Sequence, residues 1–516
     1  MTQPTTIDPT QGNRAAPPPD PDDEAASGPI TLRRIGLFGG LGLFLLMRAI
    51  PGPAELPSAG WATAAVAVLM GVLWLTEAAP ISVTALLPLA LFPLLGVGTM
   101  AQAAAPYANE VIFLFMGGFF LGKAIEKCAL HRRIALGIIA RIGTSPSRLL
   151  LGMMSATAFI SMWISNTATA AMMLPIALAL AEMFRPRIEG AAHGRPYNFG
   201  IALMLGIAYA ASIGGVGTLI GTPPNALFAA SALELTGEPV GFLQWMMVGV
   251  PVTLIMIPLT WQILLRCYPP DTEAMGDGGA VIAEQQRLVG QLSRPERFVG
   301  LVFAVIVLAW IMREPKVFAS VSVPGIGTYL PGVTDGTIAI LGALILFVVP
   351  LDWRTGGTAL DWETAVRIPW GVLLLFGGGL SLANAMDSSG LAVWIGGGVT
   401  ALAGAPPIVM IAVTSAVFVF LGEFTSNTAM TAMAMPVMAA VAAPLGMPPL
   451  VLMGAVALAC SMGFCLPAGT PPNAIVFGSG YLTIGQMVRA GIWVNLLGVG
   501  IVTLAATFLL PIIFGG

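Results

Sequence analysis

The sequence predicts an all-α polytopic membrane protein built from a duplicated unit, on three observations. Of 516 residues, 57% are hydrophobic and only 9% charged, with a mean hydropathy of +0.88, whereas soluble domains carry roughly 25% charged residues. The eleven residues SNTATAAMMLP (Ser165 to Pro175) recur as SNTAMTAMAMP (Ser426 to Pro436), identical at seven positions. The hexapeptide GTPPNA follows each of them, at Gly221 to Ala226 and at Gly469 to Ala474. The shared order means duplication. Polar, helix-breaking words inside apolar runs mark a binding site at membrane depth, because irregular backbone survives there only where it lines a cavity or is buried in protein.

Taken in order, residues 1–28 are rich in Pro and Asp, poor in large apolar side chains, and expected to form a disordered tail. Arg33 and Arg34 precede the first apolar run; they are read as holding its start in the cytoplasm, against a twin-arginine export signal. Apolar runs near or above the roughly 20 residues of a membrane span occur over 35–50, 59–76, 79–98, 149–184, 199–233, 242–265, 298–312, 335–350, 391–421, 429–466 and 485–514. About eleven spans plus shorter re-entrant pieces are expected. Six Lys or Arg between Lys123 and Arg148 put that stretch in the cytoplasm, although charge alone does not bring every loop into agreement. Residues 267–297 turn polar and read as a hydrophilic linker between a first membrane half, 29–266, and a second, 298–516.

Ser, Asn and Thr favour helix starts over helix interiors, so each apolar run is expected to break at its SNT word. A broken helix leaves backbone groups unpaired: carbonyls of the first piece suit a cation, and amides at the start of the second suit an anion. In GTPPN the proline pairs cannot lie within a helix, and Gly221 and Gly469 permit close backbone approach. Oxygens of Ser165, Asn166, Ser426 and Asn427 with nearby carbonyls compose a hard-oxygen cage of the kind alkali cations take, while Asn225 and Asn473 are expected to brace the loops. Upstream of each SNT word lies a glycine pair, in Phe115 to Gly118 and Phe376 to Gly378. These are read as re-entrant hairpins, or else as ordinary spans with Gly at packing interfaces.

Lys and Arg are absent from 149–184 and between Arg367 and Arg489. An anion held there relies on neutral donors and bound cations. Glu423, four residues before Asn427, and Glu77 are intramembrane acids that either brace broken backbone or carry protons. His131 and His193 lie outside the polar words and are read as solvated or interfacial, and the four cysteines as incidental thiols. A membrane-embedded enzyme lacks a catalytic set, since no H-E-x-x-H or G-x-S-x-G occurs.

With both SNT and both GTPPN words, the stretches TEAAPISVTALLPLALFPLLGV (Thr76 to Val97) and NEVIFLFMGGFFLGKAIEKCALHRRIAL (Asn109 to Leu136) make the chain resemble the divalent anion/sodium symporter family. The resemblance covers nearly everything after the tail. It implies two inverted repeats, a homodimer in the lipid of a bacterial inner membrane, elevator-type alternating access, and no nucleic-acid partner. It implies sodium-coupled symport of a C4 dicarboxylate such as succinate, malate or fumarate. Exchange of dicarboxylates without sodium, or citrate or sulfate carriage, are the alternatives; sulfate-type members often carry a large soluble insert that this chain lacks. By motif position, Na+ as coupling ion is held first by Ser161, Ser165, Asn166 and Gly221, and second by Ser426, Asn427 and Gly469. Asn166, Thr167, Thr222, Asn427, Thr428, Thr470 and Pro471 hold the substrate carboxylates. Gly422 departs from the family's threonine before Glu-Phe, which removes one hydroxyl from the second cation site.

Overall fold

The computed structural model describes residues 30–184, 197–271, 278–318, 321–398 and 404–514; the tail over 1–28 and His193 lie outside them. Its regular structure is helical apart from an antiparallel hairpin of β1 (Lys316–Phe318) and β2 (Val321–Val323), with Lys316 opposite Val323, and an isolated bridge between Pro350 and Thr358. The first half opens with α1 (Ile30–Ala49), α2 (Ser58–Thr76), the shorter α3 (Ile81–Leu95) and α4 (Glu110–Lys127). After α5 (Leu130–Ile142) come the paired helices α6 (Pro146–Ser161) and α7 (Asn166–Phe184), then α8 (Asn198–Gly215), α9 (Pro223–Thr236) and α10 (Phe242–Cys267).

The segment 267–297 contains α11 (Gly278–Val289), which lies on α5: Arg132 reaches Gln285 Oε1 at 2.6 Å, and Arg133 reaches Glu296 Oε1 at 2.8 Å and the Gly290 carbonyl at 2.9 Å. The second half follows with α12 (Arg294–Met312), α13 (Asp335–Val348), α14 (Trp370–Ser388) and α15 (Leu391–Gly398). It ends with the pair α16 (Pro407–Leu421) and α17 (Asn427–Ala442), then α18 (Pro449–Cys460), α19 (Pro471–Phe477) and α20 (Ile484–Leu504). Among the described residues, seven helices are long and apolar enough to cross alone, and five shorter apolar helices, α3, α13, α16, α17 and α18, lie among them.

The glycine pairs do not make re-entrant hairpins. Both lie inside continuous helices, α4 and α14, and a missing Cβ is what lets those helices close on their neighbours. A Cβ on Gly117 would sit 2.6 Å from Ala339 Cβ on α13, and one on Gly118 2.9 Å from Ile220. Gly377 and Gly378 meet Tyr107 and Ala85 in the same way. Small residues at helix crossings are the usual packing device in lipid.

The re-entrant hairpins form instead around the SNT words. Gly206 and Gly214 of α8 pack on Met154 and Ala158 of α6, so α6 runs parallel to α8. Asn166, at the start of α7, meets Gly215 at the end of α8, while Tyr197 Oη donates to the Ala181 carbonyl at 2.9 Å and the Phe184 and Phe199 rings lie 5.3 Å apart. α7 is therefore antiparallel to α8, and the chain reverses over 162–165. At 16 residues α6 spans only about 24 Å, short of the roughly 30 Å core. In the second half, Gly422 and Glu423 beyond α16 meet Gly463 beyond α18, repeating the arrangement for α16, α17 and α18.

The two halves run in opposite directions. Gly200, near the start of α8, packs on Tyr481 beyond α19, whereas Tyr209 farther along has its ring 5.1 Å from that of Phe464, just beyond α18. α8 thus starts where the second broken helix finishes. The repeats also interlock, with α9 packing on α17 and α18, and α19 on α7 and α8.

Tracing these contacts sorts the charges. Among the described residues only Arg48, Arg313 and Lys316 lie at the end of the molecule that holds the α8–α9 exit; every other Lys and Arg lies at the opposite end. The positive-inside rule assigns that arginine-rich end to the cytoplasm. The loops that charge alone left in conflict now agree.

Gly117→Val should force α4 and α13 apart, an overpacking cost of about 1–3 kcal/mol. The expected result is a lower unfolding temperature in detergent than that of Gly39→Val, which meets no atom within 4 Å.

Candidate functional site

At both SNT words the serine caps the following helix in the same way. Ser165 Oγ accepts from the Ala168 amide at 3.3 Å, and Ser426 Oγ from the Ala429 amide at 3.4 Å. At both GTPPN words the threonine is the extended residue before the proline pair, with φ −146° and ψ 143° at Thr222 and φ −146° and ψ 147° at Thr470. Because α19 lies along α7 and α9 along α17, running the same way, the starts of all four helices converge at mid-depth. Thr167, Thr222, Thr428 and Thr470 stand at these starts; Pro471, at the first position of α19, has no N–H and offers only its ring, and no Lys or Arg stands on these elements. Such a centre favours an anion bound by neutral donors.

Beside it, Ser161 is fully buried and its Oγ donates to the Ala211 carbonyl at 2.7 Å. Asn166 faces the same spot. With its nitrogen inward it donates to Ser161 Oγ at 2.7 Å, to the Ala211 carbonyl at 3.1 Å and to the Gly221 carbonyl at 3.3 Å. With its oxygen inward, Oδ1 lies 2.7 Å from Ser161 Oγ and joins these carbonyls as a nest of oxygens short of donors. Hard cations take such oxygen sets. Gly215 gives the Asn166 amide its room, since a Cβ there would push that side chain aside.

Asn225 and Asn473 do brace the loops. Asn225 Nδ2 donates to the carbonyls of Gly215 at 3.0 Å and Thr218 at 2.7 Å, and Asn473 Nδ2 to that of Leu466 at 2.9 Å. Glu423 braces as well. It is 2% exposed, its Oε1 accepts from the amides of Phe464 at 2.7 Å and Cys465 at 2.8 Å and from Asn495 Nδ2 at 2.6 Å, and its Oε2 accepts from the Leu466 amide at 2.9 Å. Glu77 ends α2 in a left-handed conformation, φ 47°.

The second nest is poorer than the first. Gly422 stands where Ser161 stands relative to its SNT word, and Asn427 Oδ1 is buried without a hydrogen-bond partner. A Cβ at Gly422 would lie 3.4 Å from that oxygen and 3.3 Å from Met430 Cε, so the place of a hydroxyl is filled by a methyl group.

Sequence reasoning missed Ala211 and Gly215, whose roles are backbone ones, and Asn495, the one Asn within the apolar run 485–514, which an intramembrane-polar criterion would have flagged. A cavity of about 390 Å³ at the first hairpin tip is lined by Ile164, Ala168, Ala171 and Met172 on that hairpin and by Glu126 and His131 on the arginine-rich side. His131 Nδ1 lies 3.0 Å from the Ile125 carbonyl, and burial pushes its imidazole below the usual histidine range.

Residues 34–514 match the family described as the sodium:sulfate symporter transmembrane region. The sodium-dependent dicarboxylate transporter SdcS of Staphylococcus aureus strains bovine RF122 and MSSA476 is 40% identical over 486 residues, 93% of this chain and 92% of the relative. In fold, the chain is similar to the solved YdaH transporter of Alcanivorax borkumensis, with a TM-score of 0.56 at 15% identity over 94% of this chain and 98% of that one. A match running from the first helix to the last makes this chain a member of the sodium:sulfate symporter transmembrane family.

Proposed function

We propose that the protein is a sodium-coupled symporter of C4 dicarboxylates such as succinate, malate or fumarate, working as a homodimer in a bacterial inner membrane. The observation that carries this reading is the oxygen nest of Ser161, Asn166, Ala211 and Gly221 set against converging helix starts without a basic side chain. It fits a cation and a carboxylate held side by side. The name of the S. aureus relative supports both ligands.

Na+ is cargo in this reading. Ser161, Ser165, Asn166 and Gly221 take the first ion, and Ser426, Asn427 and Gly469 the second. The carboxylates rest on Asn166, Thr167 and Thr222 and on Asn427, Thr428, Thr470 and Pro471. Interlocking of the hairpins with the broken helices favours their moving as one body against the remaining helices, an elevator. Moving a dianion inward against 100 mV costs about 4.6 kcal/mol, at roughly 2.3 per charge. Two sodium ions cancel that electrical term, and a third makes uptake voltage-driven. The missing oxygen at Gly422 favours a second reading, sodium-independent exchange, because exchange of like dianions moves no net charge.

Labelled succinate uptake into proteoliposomes separates the two. Symport predicts uptake into empty vesicles that needs an inward sodium gradient and fails with potassium; exchange predicts uptake that needs internal succinate and ignores sodium. Asn166→Ala and Asn427→Ala should each abolish uptake while the protein still inserts, and normal uptake by both would sink the site assignment. Gly422→Thr should lower the half-saturating sodium concentration or steepen its dependence, as read from initial rates.

A further inference from the structure

The two repeats differ most at one buried group. Three residues ahead of Ser165 stands Met162, and three ahead of Ser426 stands Glu423. Four residues ahead, the first half has Ser161 and the second has Gly422; four residues after, the first has Thr169 and the second Met430. The second nest thus lacks the hydroxyl that Ser161 supplies to the first, and has a carboxylate beside it. That charge is unneutralised: all four partners of the Glu423 carboxylate are neutral N–H donors, and neither Lys nor Arg occurs between Arg367 and Arg489. Four N–H donors suit an ionised carboxylate, which accepts on both oxygens and donates from neither.

The carboxylate is also close to the cation site without entering it. A Cβ on Gly469 would lie 2.9 Å from Glu423 Oε2, and one on Gly463 3.5 Å from Oε1. Both oxygens are already committed to the loop amides, so Glu423 is no ligand. Asn427 Oδ1, buried and lacking a donor, lies on the other side of Gly422.

We propose that Glu423 is a positioning residue whose fixed negative charge substitutes for the missing hydroxyl and holds the second co-transported cation by electrostatic attraction across Gly469. The inference rests on the sodium-coupled reading above and assigns the unequal chemistry of its two cation sites: the first is held by oxygen contacts alone, the second by fewer contacts and a carboxylate behind them. Unit charges about 6 Å apart at an effective dielectric of about 20 correspond to roughly 100-fold in affinity, enough to offset a lost ligand.

The test is sodium titration of succinate uptake at saturating succinate, with the succinate KM measured separately at saturating sodium. Glu423→Gln removes the charge at nearly constant shape, and Asn495→Ala removes a bracing donor while keeping the charge. Expected are a rise in half-saturating sodium of about 10- to 100-fold for Glu423→Gln and a change within about threefold for Asn495→Ala, with the succinate KM moved little in either. Equal shifts in the two variants, or none in Glu423→Gln, would mean that Glu423 only braces the loop and would overturn the inference. If Glu423→Gln does not fold, Glu423→Asp decides: half-saturating sodium within about threefold of wild type supports a role for charge, and a rise of about 10-fold or more overturns it. Wild-type uptake indifferent to sodium would remove the sodium-coupled reading and this inference together; sodium-dependent wild-type uptake with an unchanged Glu423→Gln removes this inference alone.

Discussion

The constraint on which the structure depends is that hydrocarbon offers no hydrogen bonds to an opened backbone. Four helices begin at mid-depth, and each start leaves amides that must find partners or cost several kcal/mol apiece. The protein meets this with side chains placed for that purpose. Ser165 and Ser426 cap α7 and α17, Asn225 and Asn473 close the carbonyls of the loops, and Glu423 takes three consecutive amides. Asn427 Oδ1, buried beside the second SNT word, is left without a donor.

Much of this was legible because polar words in an apolar chain have few uses. The SNT and GTPPN words, their duplication and their order gave the broken elements, and Asn225 and Asn473 were read as braces from chemistry alone. The glycine pairs leave two readings open in the sequence, of which the structure takes the packing interface, because Gly serves equally at a turn and at a tight helix crossing; nothing local to Phe115–Gly118 tells that Ala339, more than 200 residues away, needs the space. Ala211 was invisible for a different reason. Its contribution is a carbonyl, which every residue has, and only the packing of α6 against α8 aims it at Ser161.

Duplication explains the frame, and divergence explains what the frame can do. Inversion sets the hairpins to enter from opposite ends and brings α9 onto α17 and α19 onto α7, so each half completes the other's hairpin. Within that shared frame the side chains are free to drift. The GTPPN threonines keep almost the same torsions, while Ser161 and Thr169 are matched by Gly422 and Met430. Backbone geometry is held by packing and cannot change alone; a ligand oxygen can be lost where another source of negative potential is near.

The absence of basic side chains bears directly on coupling. A dianion held by a lysine or arginine would be neutralised by the protein itself and could bind without a co-ion. Held by amides and hydroxyls, it brings its charge into a low-dielectric centre where unit charges a few ångströms apart interact far more strongly than in water. Cations entering with it lower that cost, and removing them restores it. A centre built from neutral donors next to oxygen nests therefore makes each ligand's binding depend on the other's, which is the thermodynamic content of symport. Glu423 fits the same logic, since a buried negative charge behind the second nest raises affinity for the cation and lowers it for an anion arriving alone.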